Sequence, residues 1–260
     1  MKTRLALIAA ASVLALQSSA AILVDDMSGS LAPYTLSRVN DANGTSHISY
    51  TNADGTLRSA YTGTPNAFEQ TLFLRDDYSL NVGDTLIVDV SGTGAGYDRD
   101  LGIAVSFSET PGSLASGASG DVRNSYVMVA YRSNNQVVSF ARNGTTNFTS
   151  GQEFAGTNYG GQSFTGYVDQ LYIERTTATK FTVGWIDAGV KHALTANNNP
   201  LNYDFTTNVP GAAIGFYSDL RAAIGSSPVA LDNLSIIPVP EPTSLALAAT
   251  AAGLLLRRRK

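Results

Sequence analysis

The stretch LGIAVSFS, residues 101–108, decides the fold class. Leu101, Ile103, Val105 and Phe107 alternate with Gly102, Ala104, Ser106 and Ser108. Successive side chains of an extended chain point to opposite faces, so the large apolar groups share one side. The run predicts a half-buried strand. Working outward, TLIVDV repeats the pattern with Leu86, Val88 and Val90, and KFTVGWID with Phe181, Val183 and Trp185. QTLFLR, YVMVAYR, YVDQLYIER, AAIGFYS and LDNLSII add β-branched and aromatic runs. Turn chemistry lies between them: NADG at 52–55, NVGD at 81–84, SNN at 133–135, RNGT at 142–145 and NNNP at 197–200. About a dozen strands with Gly-rich connections predict an all-β jelly-roll sandwich of two sheets. A β-solenoid would show an internal repeat of roughly 20 residues or more. NGT recurs at 43–45 and 143–145, but its surroundings do not.

Composition narrows the function classes. The 260 residues include no cysteine and two histidines, which excludes the usual zinc sites. A body without disulfides takes its stability from its core, and a chain of this length buries enough surface to do so. Of the 17 basic residues, Lys2, Arg4, Arg257, Arg258, Arg259 and Lys260 lie in the end segments; of the 21 acidic residues only Glu241 does. The body is therefore markedly acidic, which argues against nucleic acid as a partner.

The two ends read as addresses. Lys2 and Arg4 precede an apolar run from Leu5 to Leu16, followed by Ser18-Ser19-Ala20. That is the layout of a signal peptide over residues 1–21, for export through Sec. At the other end, Leu245 to Leu256 is apolar, small or Thr throughout and is followed by Arg257, Arg258, Arg259 and Lys260. The run is about 18 Å long as a helix, short for a membrane span, but the cations can snorkel and prefer the cytoplasmic side. Pro240 and Pro242 place the start of this short transmembrane helix near Thr243 or Ser244. A buried amphipathic helix is the bland alternative, and the run shows no polar face to support it.

Val239-Pro240-Glu241-Pro242, the short apolar helix and the Arg cluster together resemble the PEP-CTERM sorting signal of Gram-negative bacteria. Such a tail also resembles what has been called an ice-binding protein C-terminal motif, a label that does not by itself imply ice binding. The resemblance implies an exosortase partner, transient anchoring in the inner membrane, and delivery to the cell surface or extracellular matrix, often beside exopolysaccharide. It divides the chain into a signal peptide (1–21), a β-sandwich (22–237) and a sorting signal (238–260). Within the body, AILVDDMSG, FLRDDYSL, DRDLGIAVSFSETP, AAIGFYSDLRA and ALDNLSI resemble LamG-like, concanavalin-type jelly rolls of exported surface proteins. That resemblance implies a sandwich whose first and last strands lie side by side, and names no ligand.

Concanavalin-type folds include retaining glucanases, which need two carboxylates about 5 Å apart, written as Glu-x-Asp-x-Glu on one strand. None of the five glutamates, Glu69, Glu109, Glu153, Glu174 and Glu241, has that company. Glu174 follows Asp169 by an odd spacing and reads as a solvated strand residue. His47 and His192 lie beside no nucleophile motif and read as strand histidines. No catalytic residue is therefore assigned. Asp25-Asp26, Asp76-Asp77, Asp98-Arg99-Asp100 and Asp232-Asn233 offer oxygen ligands for a structural calcium, but no DxDxDG loop is present and turn or ion-pair roles fit equally. Tyr97 and Tyr159, in Gly-flanked loops, are candidate glycan contacts against a background of ordinary loop packing. Trp185 alternates with Phe181 and Val183 and reads as core. The Asn-x-Ser/Thr triplets at Asn43, Asn143, Asn147 and Asn233 read as turn chemistry in a bacterium. These readings favour a non-catalytic surface protein that contacts exopolysaccharide. The alternative is a glycan-active hydrolase or lyase. Ice or mineral binding would need regular Thr-x-Thr rows, which are missing.

Overall fold

The computed structural model describes residues 20–41, 48–62, 69–92, 99–107, 126–132, 136–143, 146–147, 151–154, 168–196, 199–200, 202–205, 210–220, 225–226 and 229–239. The leader before Ala20, the tail from Pro240 onward, His47, Tyr97, Tyr159 and the 197–198 part of NNNP lie outside them.

Strands dominate. They are β1 (Ile22–Asp25), β2 (Thr35–Asp41), β3 (Ile48–Thr51), β4 (Arg58–Tyr61), β5 (Glu69–Arg75), β6 (Thr85–Ser91), β7 (Arg99–Ser106), β8 (Tyr126–Arg132), β9 (Gln136–Asn143), β10 (Thr146–Asn147), β11 (Gly151–Phe154), β12 (Gln170–Arg175), β13 (Lys180–Asp187), β14 (Val190–Ala193), β15 (Thr195–Ala196), β16 (Asn199–Pro200), β17 (Asn202–Asp204), β18 (Ala213–Leu220), β19 (Gly225–Ser226) and β20 (Ala230–Ile237). One sheet has seven strands in the order β1-β20-β6-β12-β13-β14, with β17 also on β13. The other has eight, in the order β10-β9-β8-β7-β18-β5-β2, with β11 also on β9. A small sheet of β19, β4 and β3 and a β15-β16 pair complete the described residues. Pairing is antiparallel throughout both large sheets.

The two large sheets pack face to face, with β12 and β13 over β7, β8 and β9. The interface is filled by the residues whose alternation predicted it: Leu101, Ile103 and Val105 from β7, Leu86 and Val88 from β6, Phe181, Val183 and Trp185 from β13. Phe107 packs against this core at the end of its run. First and last strands do lie side by side, with Ile22 opposite Ile236 and Leu23 opposite Ser235. Two predicted turns are visible in full. NADG forms a short 3-10 turn between β3 and β4, with Asp54 and Gly55 at φ of 63° and 69°. NVGD joins β5 to β6 through Gly83 at φ 94°, a left-handed backbone that glycine adopts without strain.

One expectation needs correction. Residues 101–106 are not half-buried; they are buried on both faces. Ala104 and Ser106 are as inaccessible as Ile103. The far side of the eight-stranded sheet carries a second apolar cluster: Leu72, Leu74, Ala104, Tyr126, Met128, Ala130, Val138, Ala213 and Tyr217. Gly102 belongs to the same close packing, for a methyl group there would lie 2.0 Å from the Val129 carbonyl oxygen.

Candidate functional site

The far face of the eight-stranded sheet is apolar along most of its length and polar at one end. Strand register produces that end. Asp219 on β18 stands opposite Gln70 on β5 and Asp100 on β7. Asp100 stands opposite Arg132 on β8, and Arg132 opposite Gln136 on β9. Side chains directly opposite on one face approach within about 5 Å at Cβ, so the five form one row across five strands. Alternation with Leu72, Gly102, Ala130 and Val138 keeps all five on the same face.

Hydrogen bonds run along the row. Arg132 donates through Nε and Nη2 to the two Asp100 carboxylate oxygens at 2.7 and 2.8 Å, a bidentate pair, and through Nη1 to Gln136 Oε1 at 3.3 Å. Gln70 Nε2 donates to the Tyr217 hydroxyl oxygen at 2.7 Å and to Asp219 Oδ2 at 3.1 Å. The Tyr217 hydroxyl also donates to Asp219 Oδ2, at 3.4 Å. Asp100 and Asp219 are each 1% exposed. Buried charges need such partners, and a planar guanidinium matches a carboxylate better than any other cation. Two carboxylates therefore stand side by side, but one has both oxygens on a guanidinium and the other is held by an amide and a phenol. A retaining glycosidase needs one carboxylate free to attack and a second free to pass a proton. The row instead resembles a lock on strand register. A search for acids along one strand missed it, because Asp100 and Asp219 meet only through β-pairing. The signal available was that DRDLG and YSDL each place an Asp in the polar phase of an otherwise apolar strand.

At one rim of the sandwich, Asp76, Ser79, Asn81, Arg175 and Gly211 line an open pocket of about 520 Å³. Arg175 ends β12 on its inward face. Its Nη1 donates to the Leu80 carbonyl at 2.8 Å, and its guanidinium lies 5.9 Å from the centre of the Phe181 ring. Burial holds the group below the usual arginine value, against the opposing charge of Asp84. Carboxylate, hydroxyl, amide and guanidinium thus converge where the two sheets part. From the sequence, Asp76 reads only as a possible calcium ligand and Asn81 only as part of the NVGD turn; their meeting with Arg175 and Gly211 is a product of the fold.

Of the acidic residues weighed for calcium, Asp98 lies outside the described residues and Asp76 lines the rim pocket, while the others have partners. Asp77 accepts two hydrogen bonds of 2.6 Å from Arg75. Asp25 accepts from the Met27 amide and the Tyr34 hydroxyl and lies 3.7 Å from Arg75. Asp26 caps its own turn through Ser28, which holds its carboxyl below the ordinary range. Asp232 accepts from the Asn233 amide. Among the described residues no three of His, Cys, Asp and Glu gather into a metal-holding group. Glu174 is a surface strand residue paired with Lys191 at 2.6 Å. Asp169 caps the Ala188 amide. His192 stacks on Trp185, with ring centres 5.2 Å apart, and Trp185 is in the core as its phase required.

The body ends where the sorting motif begins. β20 stops at Ile237, and the Val239 side chain lies over Gly83, where a methyl group would meet Val239 Cγ2 at 2.8 Å. Residues 238–260 match the PEP-CTERM protein-sorting motif. Of the motif residues, Val239 is described, and Pro240, Glu241, Pro242, Arg257, Arg258 and Arg259 lie outside the described residues. No curated protein matches the sequence. Among solved structures, the chain is similar to the carbohydrate-binding module CBM66 from Bacillus subtilis, at 12% identity and a TM-score of 0.38, over 78% of this chain and 96% of that one. It is similar to a legume lectin-like domain from Entamoeba histolytica, at 8% identity and 0.47, over 81% and 92%. It is also similar to LamAcat from Zobellia galactanivorans, at 12% identity and 0.46, over 83% and 97%. Among the described residues no helix is long and apolar enough to cross a membrane.

Proposed function

We propose that this chain is an exported, non-catalytic surface or matrix protein of a Gram-negative bacterium, sorted by an exosortase and contacting exopolysaccharide through its sandwich. The observation that carries the reading is the sorting-motif match, which starts directly after the last strand. Residues 1–21 serve as the Sec signal. Leu245 to Leu256 holds the chain in the inner membrane until processing, with Arg257, Arg258 and Arg259 on the cytoplasmic side. The rim pocket supports the glycan part, since its carboxylate, amide, hydroxyl and guanidinium are the groups that grip sugar hydroxyls. Tyr97 and Tyr159 remain candidate stacking partners.

Deleting residues 238–260 in the host should leave a folded body that no longer reaches the cell surface or matrix, read by fractionation and immunoblot. Unchanged surface display would overturn the sorting reading. Binding of the host's own exopolysaccharide to the full chain should weaken in Asn81→Ala and Ser79→Ala; absence of any binding removes the glycan part. The second reading, a glycan hydrolase, would have to draw on the adjacent carboxylates Asp100 and Asp219 despite their buried partners. Release of new reducing ends from that exopolysaccharide, abolished by Asp219→Asn, would replace the first reading with the second.

A further inference from the structure

The two chain segments read as membrane-seeking leave the body at one edge. β1 and β20 pair antiparallel, so Ile22, the first strand residue after the leader, stands opposite Ile236, near the last. Apolar side chains are concentrated there. Seven large hydrophobics are exposed among the described residues, and five of them, Ile22, Leu23, Val82, Ile237 and Val239, sit on β1, the end of β20 and the turn beneath them. Their exposures run from 39% to 54%. Val239 touches Gly83, next to Val82; Leu23 is diagonal to Ile237 through Ser235 on the outer face, and Ile22, opposite Ile236, lies on the inner side of the same edge. Single exposed hydrophobics are ordinary on a protein surface, but a contiguous group marks a contact.

Chain length selects the occupant. Six residue steps separate Val239 from Leu245, where the apolar tail run begins, and six separate Leu16, where the leader run ends, from Ile22. Covalent geometry limits each link to about 20 Å. With either run in a bilayer, this edge is held within one link of the headgroups, a depth at which apolar side chains partition favourably. We propose that the edge formed by Ile22, Leu23, Val82, Ile237 and Val239 is a lipid-facing seat on which the body rests against the membrane while it is anchored. The proposal rests on the membrane reading of the tail. The acidic residues nearby, Asp25, Asp26 and Asp77, make a zwitterionic surface the fitting partner rather than an anionic one.

The chain has no cysteine, so single thiols can be introduced for an environment-sensitive fluorophore. The full chain, carrying Leu23→Cys, Val82→Cys, Val190→Cys or Ala248→Cys, is reconstituted into phosphatidylcholine vesicles containing a lipid-borne nitroxide quencher. Val190 is the control: it is 57% exposed but lies on β14, at the opposite edge of the same sheet. The proposal requires blue-shifted emission and nitroxide quenching at 23 and 82, as at 248, with neither at 190. Quenching at 248 alone overturns the seat while the anchored tail stands. No quenching at 248 removes the tail reading itself. Protection at 23 and 82 that rises with protein concentration before vesicles are added assigns the edge to a second copy instead. Protection that appears only on adding membranes containing the sorting enzyme assigns it to that protein.

Discussion

The two large sheets use the same two-residue period and meet different surroundings. In the seven-stranded sheet the strands beside the core residues Leu86, Val88, Leu171 and Ile173 turn Asp89, Gln170 and Glu174 outward, onto a partly solvated face. In the eight-stranded sheet the same phase holds Gly102, Ala104, Met128 and Ala130, all buried. A period of two therefore reports that a segment is a strand, not that its second face is wet. Which of the two it is follows from what packs on the second face: Asp89, Gln170 and Glu174 are partly open to water, whereas Gly102, Ala104 and Ala130 lie under a second layer of packing. Polar groups on the dry face must then satisfy one another, which is why Gln70, Asp219, Asp100, Arg132 and Gln136 align.

The sharpest way to break this contrast is to unpair the row. Asp100→Ala leaves the Arg132 guanidinium, 13% exposed, without its bidentate carboxylate. Removing one partner of a buried ion pair costs about 3–5 kcal/mol. Asp89→Ala, in the wet sheet, removes an acceptor of Gln170 and Asn233 at a site open to water, and costs under about 1 kcal/mol. Equilibrium urea unfolding of the full chain reads both. Equal losses would mean that the two sheets do not differ as described.

A second step down concerns close packing. At Gly102 an added Cβ lies 2.0 Å from the Val129 oxygen and 2.3 Å from Ala130 Cα, both backbone atoms that cannot swing away. Gly102→Ala should cost about 1–3 kcal/mol, the usual range for overpacking a well-filled interior. Gly29→Ala, where nothing lies within 4 Å, should change the unfolding midpoint little. A neutral Gly102→Ala would show that β7 and β8 have slack that the pairing denies.

What the sequence disclosed follows the same division. Strand positions and the inter-sheet core were legible, because Leu101 to Phe107, Leu86 to Val90 and Phe181 to Trp185 alternate size with phase. The adjacency of first and last strands followed from the resemblance to LamG-like sandwiches and is present. Burial of the second face was not legible, since a small residue beside water and a small residue under another layer look alike in one strand. The row was illegible for a different reason. Asp100 and Asp219 are neighbours through register, a property of two distant segments together, and neither segment announces it alone. The rim pocket combines three separate connections and shares that limitation. The packing of Val239 over Gly83 was illegible for the same reason.

The clamp between the sheets gives a smaller, pH-dependent effect. Arg75, from β5 in the eight-stranded sheet, reaches the Val24 carbonyl and Asp25 of β1 in the seven-stranded sheet. The Tyr34 and Tyr78 rings lie within 5.3 and 4.7 Å of its guanidinium. Its hydrogen bonds to Asp77 hold that carboxyl below the ordinary value of 3.8, mainly through the pair itself. A depressed carboxyl stabilises the fold above the unfolded value, and the contribution is lost as pH falls through the folded one. Stability should thus drop below about pH 4, and Asp77→Asn should flatten that part of the profile. The loss is modest because the Asp77 side chain is 54% exposed and solvent screens the pair. An unchanged profile in Asp77→Asn would assign the acid sensitivity elsewhere.

The smallest effect belongs to the wet face. Lys191 pairs with Glu174 at 2.6 Å and sits 4.5 Å above the Tyr172 ring, which lies across Gly184. Both partners of the ion pair are well exposed, at 41% and 33% of their side-chain surface. Such a pair contributes about 0.2–1 kcal/mol, and the ring contact adds a similar amount at most. Lys191→Ala should therefore lower stability by less than about 1 kcal/mol, and the loss should shrink in 1 M salt, where the screening length is about 3 Å. Lys191→Met keeps the chain over Tyr172 while deleting the charge, so it separates packing from electrostatics. If Lys191→Ala cost as much as Asp100→Ala, and did so independently of salt, the outer face of the seven-stranded sheet would be covered rather than wet. The distinction drawn from Asp89, Gln170 and Glu174 against Gly102, Ala104 and Ala130 would then fail at its most exposed point.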